Sequence, residues 1–247
     1  MKADPDQQLR LLELQSLDST TDRLAHRRRT LPELEEIEQL TQRHARLGDD
    51  IVLLETEDRD LGRDQAKVDG DVEQVRSRMA RDQQRLEAGQ VGSPRELESL
   101  QSEIDSLKRR QAELEDVELE VMEKRERVQQ RLAEIAQERD EVAGSLTAAE
   151  QRRDTAFAEI DAEAEKATAQ RGELAATIDA ELLGLYEKVR GSSSGVGAAA
   201  LHRGRCEGCH LQLNTTDLNR IRDAEPDEVL RCEECRRILV RTAESGL

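Results

Sequence analysis

The only four cysteines of this chain stand in two matching pairs, Cys206 and Cys209 in RCEGCHLQL, then Cys232 and Cys235 in RCEECRRIL twenty-two residues further on. Two residues between cysteines let a tight turn aim both sulfurs at one point, and two such turns make the tetrahedral four-thiolate shell that zinc accepts. A shell closed by four protein ligands leaves no position for a reacting water. One zinc ion here would therefore be structural, contributing on the order of 10–16 kcal/mol of apparent binding energy to folding. The same ligands would suit iron of the rubredoxin kind. Stable disulfides are disfavoured: no basic segment followed by an apolar run opens the sequence, so no secretory signal is expected and the chain reads as cytoplasmic. A thioredoxin-like site would need one C-x-x-C beside a β-α-β pattern, which is absent. His210 follows Cys209 directly, but with the shell already full it reads as a surface histidine.

A metal is needed because the tail is too small to fold unaided. Its apolar candidates are Leu201, Leu211, Leu213, Leu218, Ile221, Val229, Leu230, Ile238, Leu239 and Val240, in a module of residues 201–247. So few side chains rarely hold so short a fold without a staple. Ahead of it, RGSSSGVGAAALHRG ends the helical period, and residues 191–200 read as a flexible Gly/Ser/Ala linker.

Residues 1–190 must be something else, because one Phe, one Tyr, no Trp and 38% charged residues leave little for a conventional core. Whether such a chain is disordered or helical depends on the period of its leucines. From Leu97 the steps land on Leu100, Ile104, Leu107, Leu114, Val121, Val128, Leu132, Ile135, Val142, Leu146 and Ala149, with Gln111, Glu118, Arg125 and Arg139 interrupting alternate positions. Upstream, Leu40, Leu47, Ile51, Leu54, Leu61, Val68, Val72, Val75, Met79 and Leu86 repeat the pattern, interrupted by His44, Asp58, Gln65 and Asp82. This is a thin coiled-coil seam. Its polar members are expected to be solvated edges, with register fixing as the alternative.

Between the arms, AGQVGSPRELESL carries a stop and then a start: Gly89 and Gly92 allow positive backbone angles, Ser93 suits an N-cap, Pro94 the first helical position, and Glu96 a capping box. The spacing predicts an antiparallel hairpin with its tip at about residues 88–94 and arms of roughly 120 Å, a rod in which residue i lies beside about residue 182 − i. Pro32 predicts a kink or break in the first arm. The fold class is thus mainly α, a long antiparallel coiled-coil hairpin followed by a small β zinc ribbon.

The segments GSPRELESLQSEIDSLKRRQAELEDVELEVME, GVGAAALHRGRCEGCHLQL and RCEECRRILV resemble the bacterial four-cysteine zinc-ribbon proteins that carry a long N-terminal coiled-coil hairpin. The resemblance covers about Gly89 to Val240 well and the first arm by type. It implies zinc on Cys206, Cys209, Cys232 and Cys235, held in two hairpin-like knuckles. Arg236 stands where that family commonly has Gly, which places the shape of the second knuckle in question. The resemblance also implies nucleic-acid binding, or an adaptor or chaperone-like role toward proteins, including an alternative sigma factor and secretion or flagellar components. Six Lys against thirty-two Arg suggests a GC-rich genome, and the sigma factor is not carried over.

The net charge of −17 repels a polyanion, but from Leu201 onward eight Arg meet nine Asp and Glu, leaving the ribbon close to neutral. Arg203, Arg205, Arg231, Arg236, Arg237 and Arg241 flank the knuckles and would offer a cationic face to phosphates. Without an aromatic residue, the ribbon has no base-stacking platform. A second basic patch, Arg23, His26, Arg27, Arg28 and Arg29, falls by the pairing rule near Arg152 and Arg153 and would form a collar for phosphate or an acidic helix. An enzyme is not expected: there is no G-x-x-x-x-G-K-[ST] loop, the carboxylates lie on exposed helices, and His26, His44, His202 and His210 are scattered. The reading is a non-enzymatic zinc-binding adaptor that holds protein partners, and copies of itself, through the coiled coil; the alternative is DNA or RNA binding through the ribbon arginines.

Overall fold

The computed structural model describes residues 1–247. The elements in chain order are α1 (Pro5–Arg29), α2 (Pro32–Glu87), α3 (Pro94–Ala175), α4 (Ala180–Ser192), β1 (Ala198–His202), β2 (Arg205–Cys206), α5 (Thr215–Asp223), β3 (Leu230–Arg231) and β4 (Ile238–Val240). The chain packs as two units, one of Met1–Glu35 with Glu150–Leu247, the other of Glu36–Ala149.

The Glu36–Ala149 unit is the antiparallel pairing of α2 with α3. Its seam is the one the heptads mark: Leu47, Ile51, Ile135 and Val142 form a buried cluster, and Val72, Leu100, Ile104, Leu114 and Val128 are buried along the same line. The turn uses the expected chemistry. Gly89 adopts φ 65°, its amide donating to the Leu86 carbonyl, and the Glu96 amide donates to Ser93 Oγ. The Glu96 carboxylate accepts from the Gly92 amide, one residue upstream of the usual box. Gly92 itself does not need a positive angle. One polar seam residue crosses the seam: Arg125 donates to Asp58 Oδ1 at 3.0 Å and to Gln65 Oε1 at 3.1 Å, beside Gly62, where an added Cβ would lie 3.4 Å from the guanidinium. Here the register-fixing alternative describes the contact better than a solvated edge. Gln111 instead bonds Glu115 on its own helix.

In the other unit α1 stops at Arg29 and α2 starts at Pro32, so the proline occupies a first helical position after a true break. Asp4 caps α1, accepting from the Asp6 amide at 2.8 Å. A second interruption lies past Ala175, where Asp179 accepts from the amides of Glu181 and Leu182 and starts α4. Leu24, Leu31 and Ile160 bury one another between α1 and α3.

The sheet has strand order β2-β1-β4-β3, with β1 and β4 parallel (Ala198↔Ile238) and both outer pairs antiparallel. Because side chains alternate faces along a strand, β1 and β4 feed two cores. Ala198, Ile238 and Val240 pack with Leu11, Leu14, Leu182, Tyr186 and Val189 of α1 and α4. Ala199, Leu201 and Leu239 pack with Cys206, Leu213, Ile221, Leu230 and Cys232. The ribbon is therefore docked on helices, and residues 198–200, read from the sequence as flexible linker, are sheet whose first two alanines are buried. A sheet with two apolar faces needs a second partner, and α1 with α4 supplies it. Between the knuckles, Asn214 accepts from the Asp217 amide and starts α5, which buries Ile221.

Candidate metal centre

Each cysteine pair sits in a knuckle built by the same two backbone bonds. In the first, the Cys206 amide donates to the Leu211 carbonyl at 3.1 Å and the His210 amide to the Cys206 carbonyl at 2.7 Å. In the second, the Cys232 amide donates to Arg237 at 3.0 Å and the Arg236 amide to Cys232 at 2.9 Å. Both turns require a left-handed residue after the second cysteine, and His210 (φ 60°) and Arg236 (φ 63°) supply it. Arg236 thus keeps the shape a glycine would give, at a steric cost of about 1–2 kcal/mol.

The four Sγ atoms all lie within 4.8 Å of one another. Cys206 to Cys235 and Cys209 to Cys232 are both 3.9 Å. A tetrahedron of sulfurs with metal bonds of about 2.3 Å has edges of roughly 3.8 Å, so the donor set fits zinc. A disulfide, at about 2.05 Å, does not describe these separations. Burial pushes the Cys206 thiol up, its neighbours Cys232 and Cys235 adding to the effect, and burial likewise raises Cys232. At Cys235 burial is outweighed by the Arg237 amide and surrounding donors, so this thiol sits below the ordinary range. Metal binding here must displace protons and weakens in acid.

The arginines around the knuckles are mostly occupied. Arg237 donates to the carbonyls of Val196 (3.2 Å), Gly208 (3.0 Å) and Ser193 (3.0 Å). Arg241 donates to those of Ile221, Ala224, Glu225 and Pro226 at 2.6–3.3 Å. Arg205 pairs with Glu207 at 2.9 Å and Arg236 with Glu233 at 3.3 Å. Arg203 and Arg231 remain without a carboxylate. His210 is exposed, 3.9 Å from Glu207 and outside the sulfur cluster.

Two members of the expected basic collar have carboxylate partners. Arg28 pairs with Asp161 at 2.9 Å and lies 4.1 Å over the Phe157 ring, whereas Arg153 pairs with its neighbour Asp154. Phe157 is one turn of α3 from Arg153, and Asp161 is two. Beyond the break at Thr30, α1 is a separate helix whose Leu24 packs with Ile160. Arg27 stays exposed.

A polar junction that motif reasoning missed ties the ribbon to the helices. Tyr186, fully buried, donates to Asp18 Oδ2 at 2.6 Å and lies 3.1 Å from Gln15 Oε1. Asp18, 3% exposed, also receives Arg171 Nε at 2.8 Å and faces Arg190 Nε at 3.4 Å. Gln15 accepts from the Gly197 amide at 2.6 Å and donates to the Gly195 carbonyl at 3.0 Å. Burial, then the bond to Asp18, pushes the Tyr186 phenol well up. Gly197 is obligatory: a Cβ would meet the Tyr186 ring at 2.7 Å and its carbonyl at 2.9 Å. The available signal was Gln15 and Asp18 at i, i+3 beside the Leu11 and Leu14 face, opposite the lone Tyr.

Residues 14–194 match the model of the CT398-like coiled coil hairpin domain, and residues 205–239 that of the C4-type zinc ribbon domain. The chain belongs to the CT398-like coiled-coil hairpin family. A Mycobacterium tuberculosis protein is 39% identical over 241 residues, 98% of each chain, and a Mycobacterium leprae protein 28% over 221 residues, 90% of this chain and 94% of its own. A solved structure from Mycobacterium smegmatis superposes with TM-score 0.84 at 35% identity, over 98% of this chain and all of that one. CT398 from Chlamydia trachomatis superposes at 0.70 with 21% identity, over 96% and 98%, and shares the fold. Both matched models are of a coiled-coil and a zinc-ribbon domain, and no helix is long and apolar enough to cross a membrane.

Proposed function

We propose that this protein is a non-enzymatic, cytoplasmic adaptor that holds one structural zinc ion on Cys206, Cys209, Cys232 and Cys235 and binds other proteins along its coiled coil. When bound, zinc would supply a closed anchor that joins the two knuckles, with no coordination position for a substrate. The observation that carries the choice of partner is the fate of the ribbon arginines. Arg237 and Arg241 spend their donors on backbone carbonyls, and Arg205 and Arg236 on carboxylates, which leaves little cationic surface for a phosphate backbone. The coiled coil offers what protein partners use: acidic faces interrupted by apolar side chains outside the seam, with Val52 60%, Leu53 68%, Leu119 58% and Met122 44% exposed. These same side chains suit self-association.

Two measurements test this. Elemental analysis of protein purified without added metal should find one zinc per chain. In a salt titration against mixed RNA and DNA, the adaptor reading expects no measurable affinity. Binding that falls steeply with salt and is lost on charge reversal of Arg203 and Arg231 would replace it with the nucleic-acid alternative. Proteins captured by the zinc-loaded chain should be released by Leu53→Glu or Leu119→Glu and retained by Arg203→Glu.

A further inference from the structure

We infer that metal binding at the four cysteines is coupled to docking of the ribbon on the helices through the connector Ser193–Gly197, with Arg237 as the positioning residue. The inference rests on the zinc reading above. Two side chains hold this connector from opposite directions. From the ribbon, one guanidinium spans three carbonyls on two segments: Ser193 and Val196 in the connector, and Gly208 between Cys206 and Cys209. From the helices, Gln15 takes the Gly197 amide and the Gly195 carbonyl, its Oε1 lying 3.1 Å from the Tyr186 hydroxyl. Between these clamps the backbone turns through two left-handed residues, Ser194 at φ 54° followed by Gly195 at φ 86°.

The geometry makes the ribbon clamp conditional. Arg237 follows Cys235 by two residues and its carbonyl receives the Cys232 amide, so it moves with the second knuckle. Gly208 belongs to the first, and is packed so closely that a Cβ would lie 2.8 Å from Arg237 Cδ and 2.9 Å from Ala199 Cβ. Only when both knuckles share an ion are Gly208 and the connector carbonyls held at the spacing of one planar fork, which an ammonium group cannot reproduce. Releasing the knuckles removes that clamp, and the loosened connector no longer presents its Gly197 amide and Gly195 carbonyl to Gln15. By linkage, docking favours metal binding by the same factor as metal binding favours docking, so weakening the Gln15 clamp lowers metal affinity by up to that factor.

The test is hydrogen exchange on the full chain, zinc-loaded and then chelated, together with zinc affinity from competition with a chelator. In the wild type, chelation should speed exchange at residues 195–198 by about 10-fold or more, with the amides of Leu47 and Ile135 unchanged. Zinc-loaded Arg237→Lys, with full metal content and His210 and Arg236 amides still protected, should already show the fast connector. Gln15→Ala, which alters no ligand, should lower zinc affinity about 5-fold or more. Slow connector exchange after chelation, wild-type protection in zinc-loaded Arg237→Lys, or unchanged zinc affinity in Gln15→Ala overturns the coupling while leaving the zinc reading intact. A chain that takes up no zinc overturns both.

Discussion

The Glu36–Ala149 coiled coil and the junction around Tyr186 are held together in opposite ways. Along the coiled coil each seam residue meets neighbours a turn or two away on a facing helix, so stability accumulates in small, repeated increments and no single side chain is indispensable. The polar contact made by its seam residue Arg125, with Asp58 and Gln65, is partly exposed, with 35% and 28% of the first two side chains accessible. At the junction α3 and α4 converge on one buried carboxylate of α1, Asp18, while Gln15 beside it holds the connector to the ribbon, and the chain supplies its single tyrosine and a space-critical glycine there. A repeated interface tolerates change, whereas a convergent one concentrates it.

The strongest way to break that contrast is to remove the metal. Chelation, or Cys232→Ser, should unfold the ribbon, because the ion's contribution, on the order of 10 kcal/mol, exceeds what so small a core supplies. Helical circular dichroism from the coiled coil should largely persist while strand and knuckle amides lose exchange protection. Next is Asp18→Ala, which leaves Arg171, Arg190 and the Tyr186 hydroxyl without their shared acceptor. A loss of about 3–5 kcal/mol is expected in chemical denaturation, whereas Arg125→Ala should shift the midpoint much less. If the two variants are equally damaging, the contrast fails.

Smaller effects sharpen it. Arg236→Gly should relieve the left-handed backbone and stabilise the zinc-loaded protein by about 1 kcal/mol, less the added freedom of the unfolded chain. Acid should touch the coiled coil least. Hydrogen bonds from Arg125 and then Gln129 hold Asp58 below the ordinary carboxylate range, and those from Gln111 and then Arg76 do so for Glu115. Groups with depressed folded-state pKa values contribute stability above their unfolded values, near 4, and lose it as pH falls. Melting temperature should therefore drop between about pH 5 and pH 3, and Asp58→Asn should flatten part of that drop.

Much of this molecule could be read directly. The heptads from Leu40 to Leu86 and from Leu100 to Ala149 mark a seam that is buried or half-buried at each of their apolar positions, because a helix converts sequence spacing into a face by local geometry alone. The turn at Gly89 and Ser93 is legible for the same reason, and two C-x-x-C pairs state a donor set before any fold is known. Pairing across the break at Thr30 was legible to within a turn or two: the register counted from the tip puts Arg28 near Arg153, and the side chain lies over Phe157 and pairs with Asp161. The interruption at Asp179 had a capping signal, but a weak one inside a continuous helical period.

What the sequence determined by itself, then, is everything that depends on neighbours along the chain: helix faces, caps, the tip and the four sulfurs. What only the tertiary structure decided is what those parts do to one another. Residues 198–200 look like linker, yet they become a buried strand because the ribbon sheet has two apolar faces and α1 with α4 covers one of them. Arg237 and Arg241 look like phosphate contacts, yet they bind carbonyls up to 44 residues away. The physical reason is that a charged side chain has no fixed role in sequence; whether it meets water, a carboxylate or an unsatisfied carbonyl is set by which backbone the fold brings within reach.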